Sequence, residues 1–165
     1  MPRIIEPQTV PGMLAPGMSV YMPNCAGESL LIAQALMSEP ECGKGVHFIG
    51  VWIPGVNKID YTTLHETARA TSFFVTPALR DSFAQGKLNF IPLHYSDVTA
   101  YLRSLSFDIA LLQVSPPNAN GNCSFGIAAD FPPSIVDRSK IIVAHVNSNM
   151  PAPPNAPTIS YKTID

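Results

Sequence analysis

The sequence predicts an α/β fold: three layers, with a mostly parallel sheet carrying helices on both faces. Three observations carry this expectation. Short apolar stretches at residues 18–22, 46–53, 71–75, 88–92, 109–114 and 140–146 have strand length and end in Pro, Gly or Asn turns. Stretches with helical spacing or helix-capping residues separate most of them, and strands alternating with helices imply parallel pairing. The stretch 109–114, IALLQV, is almost continuously apolar, as a strand buried on both faces of a parallel sheet must be.

Taken in order, residues 1–16 hold Pro2, Pro7, Pro11 and Pro16 and little periodicity, so they read as an extended arm with a turn or helical fragment near 10–14. The strand at 18–22 stops at Pro23-Asn24. Gly27-Glu28-Ser29 then opens a helix running to about Glu39, whose Leu30, Leu31, Ala33, Leu36 and Met37 suit a largely buried element. After the strand 46–53, Pro54-Gly55 makes a turn, and 58–70 is ambiguous, with a short helix near 64–70 as one reading. Thr76-Pro77 starts a helix, with Thr at the N-cap and Pro in the first turn, and Gly86 ends it. Ser96 is the expected N-cap of a helix through Leu105, with Asp97 placed where the helix dipole favours negative charge. Asp130-Phe131-Pro132-Pro133 begins one more helix, to about Ser139. The residues from 148 to 165 include Pro151, Pro153, Pro154 and Pro157 and read as a Pro-rich exit arm. No internal repeat is visible.

Composition narrows the function classes. At 165 residues the chain makes one domain with a real core. Its charged share, 13%, is about half the usual value of roughly 25%, which implies that another domain or subunit covers part of the surface. Seventeen prolines are about twice the usual share and indicate ordered turns. The net charge is −2 and the Lys and Arg residues are scattered, so no basic patch calls for nucleic acid or an anionic membrane. No apolar run approaches the roughly 20 residues of a membrane span, and the first residues lack the order of a signal peptide. Cys25, Cys42 and Cys123 share no C-x-x-C spacing, so free thiols in a reducing, cytoplasmic compartment are expected, and no metal site.

The common nucleotide, zinc-protease and hydrolase motifs (G-x-G-x-x-G, G-x-x-x-x-G-K-[ST], H-E-x-x-H, G-x-S-x-G) are all absent. Two turns remain, both leaving the carboxyl ends of strands, where open α/β sheets bind ligands. The first, Ser115 to Gly126, contains Asn118, Asn120, Asn122 and Ser124, with Gly121 and Gly126 permitting close approach to the main chain. Its residues suit equally a ligand loop and a plain crossover. The second, Pro23-Asn24-Cys25-Ala26-Gly27-Glu28, precedes a helix and offers peptide N–H groups to an anion or oxyanion. Glu28 there reads as an acid or as a partner of the helix dipole. His47 and His145 lie within apolar strands and read as packing residues, whereas His94 sits in a Pro-flanked loop that can face a cleft. Cys25 stands where a nucleophile could, but no base is placed beside it in the sequence.

Residues 108–126, DIALLQVSPPNANGNCSFG, resemble the segment DVALIQVSPPDEHGYCSLG of the amino-terminal domain of the acetyl-CoA hydrolase/transferase family, which includes 4-hydroxybutyrate and acetate CoA-transferases. In the same order, 14–20 resemble I-x-P-G-D-x-V, 27–31 the G-x-P-x-x-L turn, 91–96 x-P-x-H-x-S, and 142–151 V-I-A-E-V-N-x-x-M-P. The resemblance implies a CoA-transferase type of sheet and a cleft between two such domains. It also implies a glutamate nucleophile that forms an acyl anhydride and then a glutamyl-CoA thioester. In the family that glutamate lies in the carboxyl-terminal domain, and neither Glu6, Glu28, Glu39, Glu41 nor Glu66 stands in its motif, so no catalytic residue is expected in this chain. The resemblance implies instead a wall for the acyl and CoA groups. That wall is formed by Asn24, Cys25, Ala26, Gly27, Glu28, His94, Ser115, Pro116, Pro117, Asn118, Gly121 and Asn147.

The implied partners are an acyl-CoA and a small carboxylate as substrates, with coenzyme A passing through as a thioester and no tightly bound cofactor. A carboxyl-terminal domain beyond residue 165 and a homo-oligomer complete the expectation. The sequence departs from the family where acidic Asp-Glu-His becomes Asn118-Ala119-Asn120 and where Ser29 replaces the proline of the turn. Two rivals stand beside this reading. One is a non-catalytic binding or assembly module of the same fold. The other, a sugar-phosphate isomerase of similar topology, needs a Lys or Arg near these loops, and there is none.

Overall fold

The protein is described by a computed structural model covering residues 2–23 and 25–165. Eight strands form: β1 Ser19–Met22, β2 His47–Gly50, β3 Arg69–Ser72, β4 Leu88–Phe90, β5 Phe107–Val114, β6 Asn122–Ser124, β7 Ser139–Val146 and β8 Thr158–Ser160. Six of them make one sheet in the order β4-β3-β2-β1-β5-β7, and every pairing in it is parallel. Four helices flank it, α1 Leu30–Ser38, α2 Arg80–Ala84, α3 Tyr95–Arg103 and α4 Pro132–Ile135, with short 3-10 turns between.

Strand alternation builds the two core layers. Val20, Phe48, Ala70, Ile109 and Leu111 point to one face, where Ile32, Ala33 and Leu36 of α1 and Val10 of the arm cover them. Their neighbours Tyr21, Ile49, Ala110 and Leu112 point to the other, under Val98 and Leu102 of α3 and Ile135 of α4. β5 is buried along nearly its whole length because both layers close over it and β1 and β7 flank it. At the amino edge, Asp108 ties three strands. Its carboxylate accepts from Ser19 N at 2.8 Å and from Lys140 Nζ at 2.7 Å, and these bonds, that of Lys140 foremost, hold its pKa below the usual carboxylate value.

Several local expectations change. The helix expected near 64–70 does not form: Arg69 and Ala70 belong to β3, because pairing with His47 and Phe48 satisfies their backbone groups better than one isolated turn. α1 is buried on one side only, through Ile32, Ala33, Ala35 and Leu36, while Leu30, Leu31 and Met37 are exposed. α3 begins at Tyr95 with His94 at the N-cap, one residue ahead of the expected capping Ser96. Residues 148–165, read as an exit arm, lie against the sheet: β8 pairs antiparallel with β6, and Ile159 and Ile164 are buried. Asp165 N donates to Ile142 O at 3.0 Å, and Ile142 N donates to Asp165 Oδ2 at 2.7 Å, so the last residue covers part of the open edge of β7.

Thr76 does precede a helical segment, but its hydroxyl makes no capping bond. It is 1% exposed, and its Oγ1 has no partner among the described residues. A buried hydroxyl without a bond loses its hydration for nothing. Thr76→Val, which keeps the shape, is therefore expected to leave stability unchanged or raise it by about 1 kcal/mol, read from urea unfolding. A loss of more than about 1 kcal/mol would show that the hydroxyl has a partner after all.

Candidate functional site

The connections leaving β1, β2, β4, β5 and β7 gather at the carboxyl edge of the sheet, and the turn after β1 is held there from three sides. Asn57, from the connection after β2, is 2% exposed and makes every bond its side chain can. Its Oδ1 accepts from Cys25 N at 3.0 Å and from Ile53 N at 2.9 Å. Its Nδ2 donates to Cys25 O at 3.2 Å and to Glu28 Oε2 at 3.0 Å. Tyr61 Oη donates to Glu28 Oε1 at 2.9 Å, and burial first, then the Glu28 charge, pushes the Tyr61 pKa far up. The Glu28 carboxylate is thus fixed at both oxygens. Cys25 adopts φ of 60°, a conformation L-residues rarely take, and Asn57 grips both its N–H and its C=O. Ser29 closes the turn as N-cap of α1, accepting from Ile32 N at 3.2 Å, and its Oγ lies 2.9 Å from His145 Nδ1.

Cys25 is not activated. Its thiol faces Val51 O at 3.7 Å and Tyr95 Oη at 3.9 Å, and burial raises its pKa. Tyr95 is raised too, by burial and by Cys25 and Asp130. Both therefore stay protonated and neutral at pH 7. The loop residue that reaches the turn is Tyr95, not the adjacent His94, which is exposed at the N-cap of α3. Tyr95 also packs on Phe131, ring centroids 5.1 Å apart.

The second turn, from Ser115, is a closed structure. Ser115 N donates to Ser124 O and Ser124 N donates to Ser115 Oγ, each at 2.9 Å. Asn118 Oδ1 accepts from Asn120 N at 2.9 Å and Asn122 N at 3.0 Å, and Gly121 N donates to Asn118 O at 2.8 Å. The N–H groups expected to cradle a ligand are spent within the loop, so Pro116, Pro117 and the free side-chain atoms form its outward surface. Gly121 takes φ of 75°, with open space where a Cβ would stand. Asn147 joins the ends of β5 and β7: its N donates to Val114 O at 2.8 Å and its Nδ2 to Gln113 Oε1 at 3.0 Å.

The two turns meet through the segment after β6. A Cβ on Gly27 would stand 3.0 Å from that of Ala128, and Phe131 carries Tyr95. Cys25, Ala26, Gly27 and Glu28 thus share a neighbourhood with the far end of the Ser115 connection, while Asn24 lies outside the described residues. Sequence reasoning missed Asn57, Tyr61, Tyr95 and Ala128. Asn57 had one available signal, its place just after the Pro54-Gly55 turn at the end of a strand.

His47 and His145 behave as packing residues: His47 Nε2 lies 2.8 Å from Thr71 Oγ1, and burial lowers both pKa values. Among the described residues the three cysteines are free, no three His, Cys, Asp or Glu side chains group as metal ligands, and no helix is long and apolar enough to cross a membrane.

Comparison with known proteins gives a consistent set of likenesses. Residues 2–155 match the acetyl-CoA hydrolase/transferase N-terminal domain. The chain is 27% identical over 134 residues to the 4-hydroxybutyrate coenzyme A transferase of Clostridium kluyveri, covering 80% of this chain and 31% of that protein. It is 28% identical over 105 residues to a butyryl-CoA:acetate CoA-transferase of Anaerostipes caccae, 62% of this chain and 23% of that protein. Among solved structures, RipA from Yersinia pestis superposes with a TM-score of 0.81 at 20% identity, covering 98% of this chain and 40% of that one. A 4-hydroxybutyrate CoA-transferase from Porphyromonas gingivalis gives 0.66 at 20% identity, over 98% and 37%. The chain spans about a third of the length of the first of these curated relatives.

Proposed function

We propose, since this chain belongs to the acetyl-CoA hydrolase/transferase family through its N-terminal domain, that it forms one wall of a cleft in which CoA passes between an acyl-CoA and a small carboxylate, or the acyl-CoA is hydrolysed. The observation that carries the reading is the buried clamp of Asn57 and Tyr61 on the Cys25–Glu28 turn, which sets a backbone turn rigidly at the carboxyl edge of a parallel sheet. The names of the relatives support the substrate class.

The reacting group belongs elsewhere. Cys25 is held as a neutral thiol, and both Glu28 oxygens accept hydrogen bonds, which lowers the nucleophilicity of a carboxylate. A glutamate from a second domain attacks the thioester carbonyl in this reading. The thiolate of CoA leaves and an acyl-glutamyl anhydride forms. CoA thiolate then attacks the glutamyl carbonyl, releasing the acyl carboxylate and leaving a glutamyl-CoA thioester. The turns after β1 and β5 bind and orient the substrate and exclude water from the anhydride.

The test is an exchange assay between acetyl-CoA and a carboxylate. The 165-residue chain alone should show no turnover, and the polypeptide carrying both domains should show it. Robust exchange by the chain alone would refute a nucleophile in a second domain. No exchange and no hydrolysis by the two-domain polypeptide would favour a non-catalytic assembly module of the same fold.

A further inference from the structure

Resting on that cleft reading, a property of the whole carboxyl edge points to the acyl group. Every connection that leaves it, residues 23–28, 51–57, 73–79, 91–97, 115–131 and 147–157, lacks Lys and Arg. The acidic residues in those same stretches are Glu28, Asp97 and Asp130. No cation among the described residues pairs with Glu28. Glu28 is half-buried, and its orientation is set by Asn57 Nδ2 and Tyr61 Oη. Two neutral donors hold it, and they occupy two of the roughly four lone-pair positions of a carboxylate. The remaining positions can accept from a hydroxyl or an amine. They can only repel another carboxylate, because no cation on this wall offsets the like charge.

The neutral groups of Cys25 and Tyr95 leave that charge balance unchanged. The Ser115 loop adds Asn118, Asn120 and Asn122, which carry no charge. A wall without cations also offers nothing to the phosphates of CoA, so the part of the substrate it meets is the thioester and acyl end.

We infer that Glu28 selects the acyl group: the cleft accepts neutral acyl chains, favours those with a hydroxyl beyond the reacting carbonyl, and rejects acyl groups that end in a second carboxylate.

The experiment compares acceptors in CoA transfer from acetyl-CoA by the polypeptide carrying both domains. Butyrate, 4-hydroxybutyrate, succinate and monomethyl succinate are used, with the wild type and Glu28→Gln. In the wild type, kcat/KM for succinate should lie at least about tenfold below that for its monomethyl ester, which has the same chain without the second charge. 4-Hydroxybutyrate should exceed butyrate. Glu28→Gln should raise the ratio of succinate to butyrate by about tenfold, and Glu28→Asp, which keeps the charge, should not. Succinate used as well as its ester by the wild type would overturn the inference without any variant having to fold. So would an unchanged succinate-to-butyrate ratio in a folded, active Glu28→Gln. Failure of the wild type to transfer CoA to any acceptor would be a different result, striking the cleft reading itself and this inference with it.

Discussion

Asn57→Ala is expected to destabilise the protein by on the order of 3 kcal/mol, a fall in Tm of roughly 6–12 °C in a scanning calorimeter. The substitution strands Cys25 N, Ile53 N and Cys25 O, which Asn57 now satisfies from a site 2% exposed. Each stranded buried group costs about 1–3 kcal/mol, and water entering the space left behind recovers part of that. Asn57→Asp is the sharper variant. It keeps the volume and the acceptor side, yet sets an oxygen against Cys25 O and a second carboxylate against Glu28. It should be at least as damaging at pH 7, and the damage should shrink as the pH falls and the new carboxyl takes up a proton, since a protonated carboxyl can donate again. The functional consequence follows from Cys25, whose positive φ needs the clamp. With the clamp gone the turn relaxes, and CoA exchange by the two-domain polypeptide should drop further than the stability loss alone explains. A variant with a wild-type Tm would show that the four bonds do not hold the turn.

Gly126→Ala should cost about 2–4 kcal/mol, while Gly121→Ala in the same loop should cost about 1 kcal/mol. Both glycines have positive φ, 64° and 75°, so both variants pay the strain of a side chain in that region. Only Gly126 also meets atoms. A Cβ there would collide with the Met150 side chain and stand 2.9 Å from Pro151 O, whereas a Cβ on Gly121 meets nothing within 4 Å. Met150 is buried and Pro151 O is main chain, so the segment following β7 would have to move. That segment leads to β8, which pairs with β6, so the shift should reach the Ser115 loop. Urea unfolding of the two variants measures the difference, and equal losses would show that the strain of the turn, not contact with residues 150–151, decides the cost.

Much of the fold was legible because it rests on local chemistry. The apolar runs around Val20, Phe48, Leu88, Ile109 and Ile142 became the strands, at nearly the expected places. Ser29 caps α1 as its residue type demands. The errors came where a local signal met a stronger distant one. Thr76 has the right type for a cap and the right place, yet its hydroxyl is turned into the core without a bond. Arg69 and Ala70, helical by spacing, were drawn into β3 by pairing with β2. Leu30 and Leu31 read as core, but only one side of α1 meets the sheet, and nothing local says which side.

The sequence by itself determined the parallel α/β class, the two turns at strand ends and the family, since period, turn residues and the Ser-Pro-Pro segment are all properties of neighbours along the chain. Only the tertiary structure decided what those turns can do. Asn57 and Tyr61 lie about 30 residues from the turn they hold. The N–H groups of the Ser115 loop are consumed by its own Asn118, and the edge formed by six separate connections proves to have no cation. Each of these depends on which distant backbone and side-chain groups satisfy one another in space, and no periodicity or motif in one stretch of chain carries that information.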